Sequence, residues 1–409
     1  MNVRRLEVWL EDEHVASIDA IRPWELRLRY SGKIVDRVPS NGPFLSCSLL
    51  VSRSKQNATF WARGLLPEGA HLQAMAARAG VPTSYIAHLL AQYGRDVAGA
   101  FTITTGPPPD PQRWAQEEYT DDDLATELRN AATEPGFATR SDSELSLAGL
   151  QNKLLVVRTR PGRWARPVNG RPSTHIMKLD DPRRPGLVEA EHSCLLLAAA
   201  LGLTTISPEF IHVDGMSVLV VDRYDRTLDA SGVTRRIHQE DACQALAIDL
   251  GAARGRGKYE ADGGPTYAAI ARLLRQHSGQ PYRAELAQLL RLAAFTSVIG
   301  NADGHGKNVS FIIDTLTGTI SLAPAYDTVP TALWPELRKT QSMSVAGRFS
   351  AEPSVDDFVS EATSWGLSRP EAIEVIATLA SDLCAAARSL RIRADVAELV
   401  VNRAAPLLA

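Results

Sequence analysis

Nothing in this 409-residue chain reads as a covalent or zinc staple. The four cysteines, Cys47, Cys194, Cys243 and Cys384, are scattered and form no C-x-x-C pair. That pattern excludes a disulfide framework and a zinc knuckle; Cys194 and Cys243, in apolar helical contexts, read as buried thiols. Bulk basic charge is missing too. The formal net charge is −3, so no bulk basic character argues for nonspecific nucleic-acid binding, and only local patches are left open. The opening MNVRRLEVWLEDEH has basic residues but no apolar core of the kind a signal peptide needs. No apolar run is long enough to span a bilayer, so no membrane partner and a reducing, cytoplasmic location are expected. There is no internal repeat and no low-complexity tail. What remains, 44% hydrophobic and 22% charged residues, is ordinary globular composition in a chain long enough for two or three lobes.

The first part of the chain alternates in short strands: LEVWL, HVASI, LRLRY and then FLSCSLLV, a pattern that predicts a small, mostly antiparallel sheet. FWARGLLPEGAHLQAMAARAG and SYIAHLLAQYG predict two helices closed by Gly, and GRDVAGAFTIT returns to strand. GPPPDPQ at 106 to 112 is the clearest breaker, and TDDDLATELRNAAT after it carries a capping Thr120 and an acidic first turn. SLAGLQNKLLVV is a small-residue turn feeding a strand, THIMKL a short strand, and LVEAEHSCLLLAAALGL a helix. FIHVDGMSVLVVDRYDR reads as a hairpin, and from residue 238 the chain is mainly helical. One hairpin, VSFIIDTLTGTISLAP, interrupts the helices. RTRPGRWARPVNGR at 158 to 171 is Arg-rich and fits a solvated hairpin tip better than a nucleic-acid patch.

The densest polar cluster between apolar segments is VIGNADGHGKNVSFI, residues 298 to 312. Asp303 and Asn308 stand in a D-x-x-x-x-N spacing, which in protein kinases places a proton-accepting Asp beside a metal-holding Asn. Taken alone, D-G-x-G-x-N is equally good turn chemistry. The hairpin that follows ends in Ala-Tyr-Asp, so Asp303, Asn308 and Asp327 are predicted to converge on one site, with oxygen donors of the kind Mg²⁺ prefers. A histidine-based metal site lacks an H-x-H or H-E-x-x-H partner. Upstream, Lys178 ends a short apolar strand like a phosphate-pairing lysine, and by itself also fits a strand-edge lysine. Glu191 on the next helix could reach back to it; a solvated helix face is the alternative, and Glu189 competes for the role. SLAGLQNK at 146 to 153 is a loop able to present N–H groups to phosphate, and VLVVDRYDR suits either an adenine-facing hinge or any strand end. The order of these parts, sheet first and helices second, is that of an α+β, two-lobed protein-kinase-like fold.

GLLPEG, GRDVAGA, SLAGLQNKLLV, THIMKL, AEHSCLLLAAALGL, VVDRYDR, RIHQEDACQAL, GNADGHGKN and LAPAYD together resemble the HipA-type serine/threonine kinases, the toxins of bacterial HipBA toxin–antitoxin modules. The resemblance covers nearly the whole chain. It implies residues 1–106 as a HipA-like N-terminal subdomain, 107–230 as a kinase N-lobe and 231–409 as a helical C-lobe. It implies Asp303 as catalytic base, Asn308 and Asp327 as Mg²⁺ holders, and Lys178 on the phosphates of ATP. Asp222, Arg223 and Tyr224 would form the adenine-facing hinge. Lys153 and the loop from Ser146 through Gly149 would cover the phosphates, with Glu191, His305, Lys307 and Tyr326 completing the nucleotide site. Glu191 matches the second residue of a frequent Asn-Glu pair; Ala190 replaces the first.

The resemblance further implies autophosphorylation at Ser146, with Ser141 and Ser143 as competing serines. The implied partners are a HipB-like helix-turn-helix antitoxin, operator DNA reached through it, and a protein substrate of the aminoacyl-tRNA synthetase class whose phosphorylation arrests growth and favours persistence. A small-molecule kinase and a catalytically weak corepressor are the alternatives from other classes.

Overall fold

The computed structural model describes residues 3–133, 152–230 and 232–408. Ser146 and Gly149, with Ser141 and Ser143, lie outside the described residues. The fold is mixed: two sheets dominate the first part of the chain and helices the second. Packing divides it into two compact units, one of Met1–Pro182, Ile211–Glu240 and Ile313–Gly318, the other of Arg183–Phe210, Asp241–Ile312 and Thr319–Ala409.

In the first unit, β1 (Arg5–Leu10), β2 (Glu13–Arg22) and β3 (Glu25–Tyr30) form an antiparallel meander. β4 (Gln56–Asn57) and β5 (Phe101–Thr104) add at its two edges. Alternation decides the faces: Leu26, Leu28 and Tyr30 point inward from β3, while Arg27 and Arg29 do not. These residues share one core with Phe44, Trp61 and Tyr93.

The second sheet contains β6 (Ala115–Glu118), β7 (Lys153–Arg160), β8 (Arg163–Val168), β9 (His175–Leu179), β10 (Glu209–Val213) and β11 (Met216–Asp222), in the order β10-β11-β9-β7-β8-β6. Its other core packs Leu124 and Leu128 of the helix Asp121–Thr133 on Leu154, Val156, Met177, Leu179, Val218 and Val220. Because side chains alternate, the opposite face of the same three strands carries Lys153, Leu155, Ile176, Lys178, Leu219 and Val221.

Three expectations change. FLSCSLLV is not a strand. It is buried irregular chain whose polar groups are met by side chains: Tyr30 donates to the Leu49 carbonyl at 2.5 Å, His238 Nε2 to the Leu45 carbonyl at 2.9 Å, and the Cys47 N–H to Glu240 at 2.7 Å. A short apolar run tells burial apart from solvent but not strand from loop. The segment from Phe60 to Gly80 is two helices, Thr59–Gly64 and Gly69–Ala79, interrupted around Pro67, which cannot supply an interior N–H. The helix Leu187–Ala200, placed by sequence in an N-lobe ending at 230, groups with the second unit. Its Gly186 carbonyl accepts from Arg393 Nη1 at 2.5 Å, and Ser193 Oγ accepts from the Arg393 N–H at 3.2 Å.

The second unit is built on the helices Tyr267–His277, Tyr282–Val298, Val355–Trp365, Arg369–Ser389 and Ala394–Ala404. Ser354 and Ser368 start two of them with complete capping boxes. Among the described residues, no helix is long and apolar enough to cross a membrane.

Candidate active site

The helix Tyr282–Val298 delivers the polar cluster. It ends on Ile299 with Gly300 at φ +70°, the Gly300 N–H bonded to the Ser297 carbonyl at 3.0 Å and the Asn301 N–H to the Thr296 carbonyl at 3.0 Å. This double bond with a left-handed glycine stops the helix sharply and turns the chain into Asn301–Asp303. Ala302 is clamped on both sides: its N–H donates to Thr331 Oγ1 at 2.8 Å, and its carbonyl accepts from Ser342 Oγ at 2.6 Å. Gly306 admits no side chain, since a Cβ there would lie 2.4 Å from the Pro265 ring. A single 3-10 turn, Gly306–Asn308, then leads into the strand Ser310–Ile313.

The two ends of the following hairpin meet. Asn308 Nδ2 donates to Asp327 Oδ2 at 2.6 Å. Asn301 links the same parts from the other side: its Nδ2 donates to the Asp327 carbonyl at 3.1 Å while its Oδ1 accepts from the Asp303 N–H at 3.1 Å. Asp327 holds φ +56°, a left-handed conformation unusual outside glycine and costing of order 1–3 kcal/mol. Asp303, Asn308 and Asp327, brought together by sequence reasoning, are together in the second unit.

Asp303 is open to solvent at its surface. Protein crowding around the carboxyl nevertheless pushes its pKa above the usual carboxylate value; Lys258 and a hydrogen bond from Tyr259 oppose that rise, and Asp327 adds to it. The Tyr259 hydroxyl donates to Asp303 Oδ1 at 2.9 Å. Burial holds the His305 imidazole well below its ordinary pKa, with Lys258 contributing, so it is neutral at pH 7. Its ring meets the Tyr259 ring edge to face, centroids 5.3 Å apart.

Other expected members have different neighbours from those anticipated. The Lys307 ammonium, expected to complete the nucleotide site, lies in a buried ion pair with Asp241 at 2.6 Å. Tyr326 donates to the Lys307 carbonyl at 2.6 Å and bonds Ser310 Oγ at 2.7 Å, so its hydroxyl ties the loop together. Glu191 is wholly buried, which removes the solvated-face alternative, and Glu189 lies near Arg393 at 3.9 Å.

In the first unit, Lys153 and Lys178 are cross-strand partners on one face of β7 and β9. Asp222 ends β11 opposite His175, and the Tyr224 hydroxyl donates to Gln239 Oε1 at 3.0 Å. The hinge expected at Asp222, Arg223 and Tyr224 is a backbone role, and the side chain of Arg223 is engaged elsewhere. Its guanidinium is buried against Asp225 at 2.8 Å and Asp96 at 3.4 Å, a satisfied network with no donor to spare for a base. Three arginines of the Arg-rich hairpin have partners in the same unit: Arg158 stacks over Trp164, Arg163 reaches Asp121 and Arg166 reaches Glu117.

Asn308 and Asp327 fit Mg²⁺ by donor chemistry. A carboxamide and a carboxylate supply hard oxygens, and Mg²⁺ takes its remaining positions from water and phosphate. Among the described residues no group of three His, Cys, Asp or Glu forms a cage of the kind zinc uses.

The family description "HipA-like C-terminal domain" matches residues 145–387, and "HipA N-terminal domain" matches residues 6–104. The chain belongs to the HipA family. The proposed kinase Y4mE of Sinorhizobium fredii is 34% identical over 416 residues, covering 99% of this chain and 95% of that protein. The serine/threonine-protein kinase toxin HipA of Shewanella oneidensis is 26% identical over 293 residues, 70% of this chain and 66% of that one. The HipA fold is shared with a solved complex of Shewanella oneidensis MR-1 HipA, HipB and operator DNA: TM-score 0.79, 21% identity, 98% of this chain and 96% of that chain. In this HipA-family site, sequence reasoning missed Tyr259 and Asp241. Tyr259 stands in RGKYEADGGP, where an aromatic flanked by charges inside a glycine-rich stretch is the signal that was present.

Proposed function

We propose that this HipA-family chain is an ATP-dependent protein serine/threonine kinase acting in the cytoplasm as the toxin of a toxin–antitoxin pair. The observation that carries the reading is the junction of Asp303, Asn308 and Asp327, with Asn308 bonded to Asp327 at 2.6 Å and Asn301 joining Asp303 to Asp327. That is the division of labour phosphoryl transfer needs: one carboxylate to take the hydroxyl proton, and an amide with a second carboxylate to hold the metal. Asp303 orients and deprotonates the acceptor hydroxyl. Asn308 and Asp327 would hold Mg²⁺, which when bound would supply charge neutralisation for phosphoryl transfer. Lys178 and Lys153, cross-strand partners on one face of β7 and β9, bind phosphate together. The apolar residues on the same face, Leu155, Ile176, Leu219 and Val221, suit a base, with Asp222 and Tyr224 at the strand end.

The partner proposed is a helix-turn-helix antitoxin of the HipB kind, and through it operator DNA; the shared fold with the Shewanella HipA of a HipB–operator complex supports this. The protein substrate is proposed to be a translation protein of the aminoacyl-tRNA synthetase class, with growth arrest and persistence as consequences, and Ser146 as the site of self-inactivation. Transfer of ³²P from [γ-³²P]ATP into an ATP-depleted cell extract tests the reading. Asp303→Asn should keep the fold and lose both transfer and growth arrest; a fully active Asp303→Asn protein refutes the assignment.

A further inference from the structure

Tyr259 has a place that the kinase reading does not use. Its loop is anchored from several directions. Glu260 accepts from the Ser344 N–H and hydroxyl, both at 2.6 Å, and the Lys258 carbonyl accepts from the Gly306 N–H at 3.2 Å. The ring is surrounded by cations: the Arg338 guanidinium at 5.4 Å from its centroid, the Lys258 ammonium at 5.5 Å and the Arg256 guanidinium at 6.0 Å. The neutral His305 ring packs edge to face at 80°. So the phenol is fixed in direction, and the positive charges around it make its O–H a stronger donor.

That O–H points at Asp303 Oδ1, 2.9 Å away. The Asp303 backbone is set by Asn301, but a surface-open carboxylate on two free torsions samples several rotamers unless a second contact holds it. We propose that Tyr259 is a positioning residue: it binds Oδ1 of Asp303 and so presents Oδ2 to the acceptor hydroxyl. The proposal rests on Asp303 being the base. In the transfer, the hydroxyl oxygen bonds the γ-phosphorus, the bond to the ADP oxygen breaks, and the hydroxyl proton goes to Oδ2. Tyr259 keeps its own proton throughout.

The test measures ³²P transfer from [γ-³²P]ATP into an ATP-depleted cell extract as ATP is varied, using the full chain, Tyr259→Phe and Asp303→Asn. Phe keeps the ring among its cations and removes only the hydroxyl. The maximal rate should fall roughly 10- to 100-fold, the cost of a misaligned reacting group, with KM for ATP and the thermal midpoint unchanged. Tyr259→Phe within twofold of the full chain, beside an inactive Asp303→Asn, overturns the positioning role and leaves the base in place. A Tyr259→Phe protein that loses ATP affinity and thermal stability together also overturns it, since the tyrosine would then be structural. An active Asp303→Asn protein overturns the underlying reading instead.

Discussion

Asn308 and Asp327 are separated by 19 residues of chain yet share a 2.6 Å hydrogen bond. The intervening hairpin brings the amide to the carboxylate, and Asn301 fixes the Asp327 carbonyl from behind. On the proposed reading this is the pair that would hold the cation, and the hairpin fixes its backbone beforehand. Asn308→Ala should therefore need about 10- to 100-fold more Mg²⁺ for half-maximal phosphate transfer. Asp327→Asn, which tolerates the left-handed backbone at φ +56°, should fold and fail to transfer. An Asn308→Ala protein that saturates at the same Mg²⁺ as the full chain would remove Asn308 from the metal site.

Lys153 and Lys178 face each other across β7 and β9, and the proposed reading has them act on one anion and not on two. Lys178→Met and Lys153→Met should each weaken ATP binding by about tenfold or more. The double variant should lose less than the sum, because contacting residues couple by about 0.5–3 kcal/mol. Titration of a fluorescent ATP analogue reads this directly; strictly additive losses would place the two lysines on separate ligands.

The convergence of Asp303, Asn308 and Asp327 was legible because it is local, set by spacing and by one hairpin. The fold class was legible from alternation and helical periodicity. What escaped depends on distant partners. Lys307 looks like a phosphate ligand until Asp241, 66 residues away, takes its charge. Nothing near Arg223 in sequence signals that Asp96, from 127 residues upstream, binds its guanidinium. FLSCSLLV looks like a strand because apolarity records burial and not the source of the hydrogen bonds.

Asp96 is the centre of that second case. Its carboxylate is fully buried and bonded to Arg226 Nη2 at 2.8 Å and the Ser173 hydroxyl at 2.7 Å, with Arg223 and Arg236 close by. Breaking a buried pair leaves an uncompensated charge, at about 3–5 kcal/mol. Asp96→Asn should cost the first unit about that much in urea unfolding, because three guanidiniums would be left with Asp225 alone. Arg223→Lys should not be neutral either, since an ammonium cannot reproduce the two-pronged contact with Asp225. A loss under about 1 kcal/mol for Asp96→Asn, the range of exposed pairs, would show the network to be solvated.

His238 gives the first unit a pH dependence of definite sign. Its Nε2–H donates to the Leu45 carbonyl at 2.9 Å and its ring packs on Phe101, centroids 4.3 Å apart. Burial pushes its pKa down to about 4, against the partial opposition of the Leu45 bond and Asp225. The unfolded chain takes up this proton near pH 6.5 and the folded chain only near 4, so stability is whole above about 6.5 and falls as pH drops toward 4. The loss from this one group is about 3 kcal/mol across the window. Burial would raise Asp225, but Arg223 and Arg226 bring it down to about 2, so it stays ionised throughout and does not contribute there. Urea unfolding at pH 7.5 and pH 4.5 should show a smaller drop in His238→Gln than in the full chain, by about that amount. Equal drops in the two proteins would mean that the folded state protonates His238 as readily as the unfolded one.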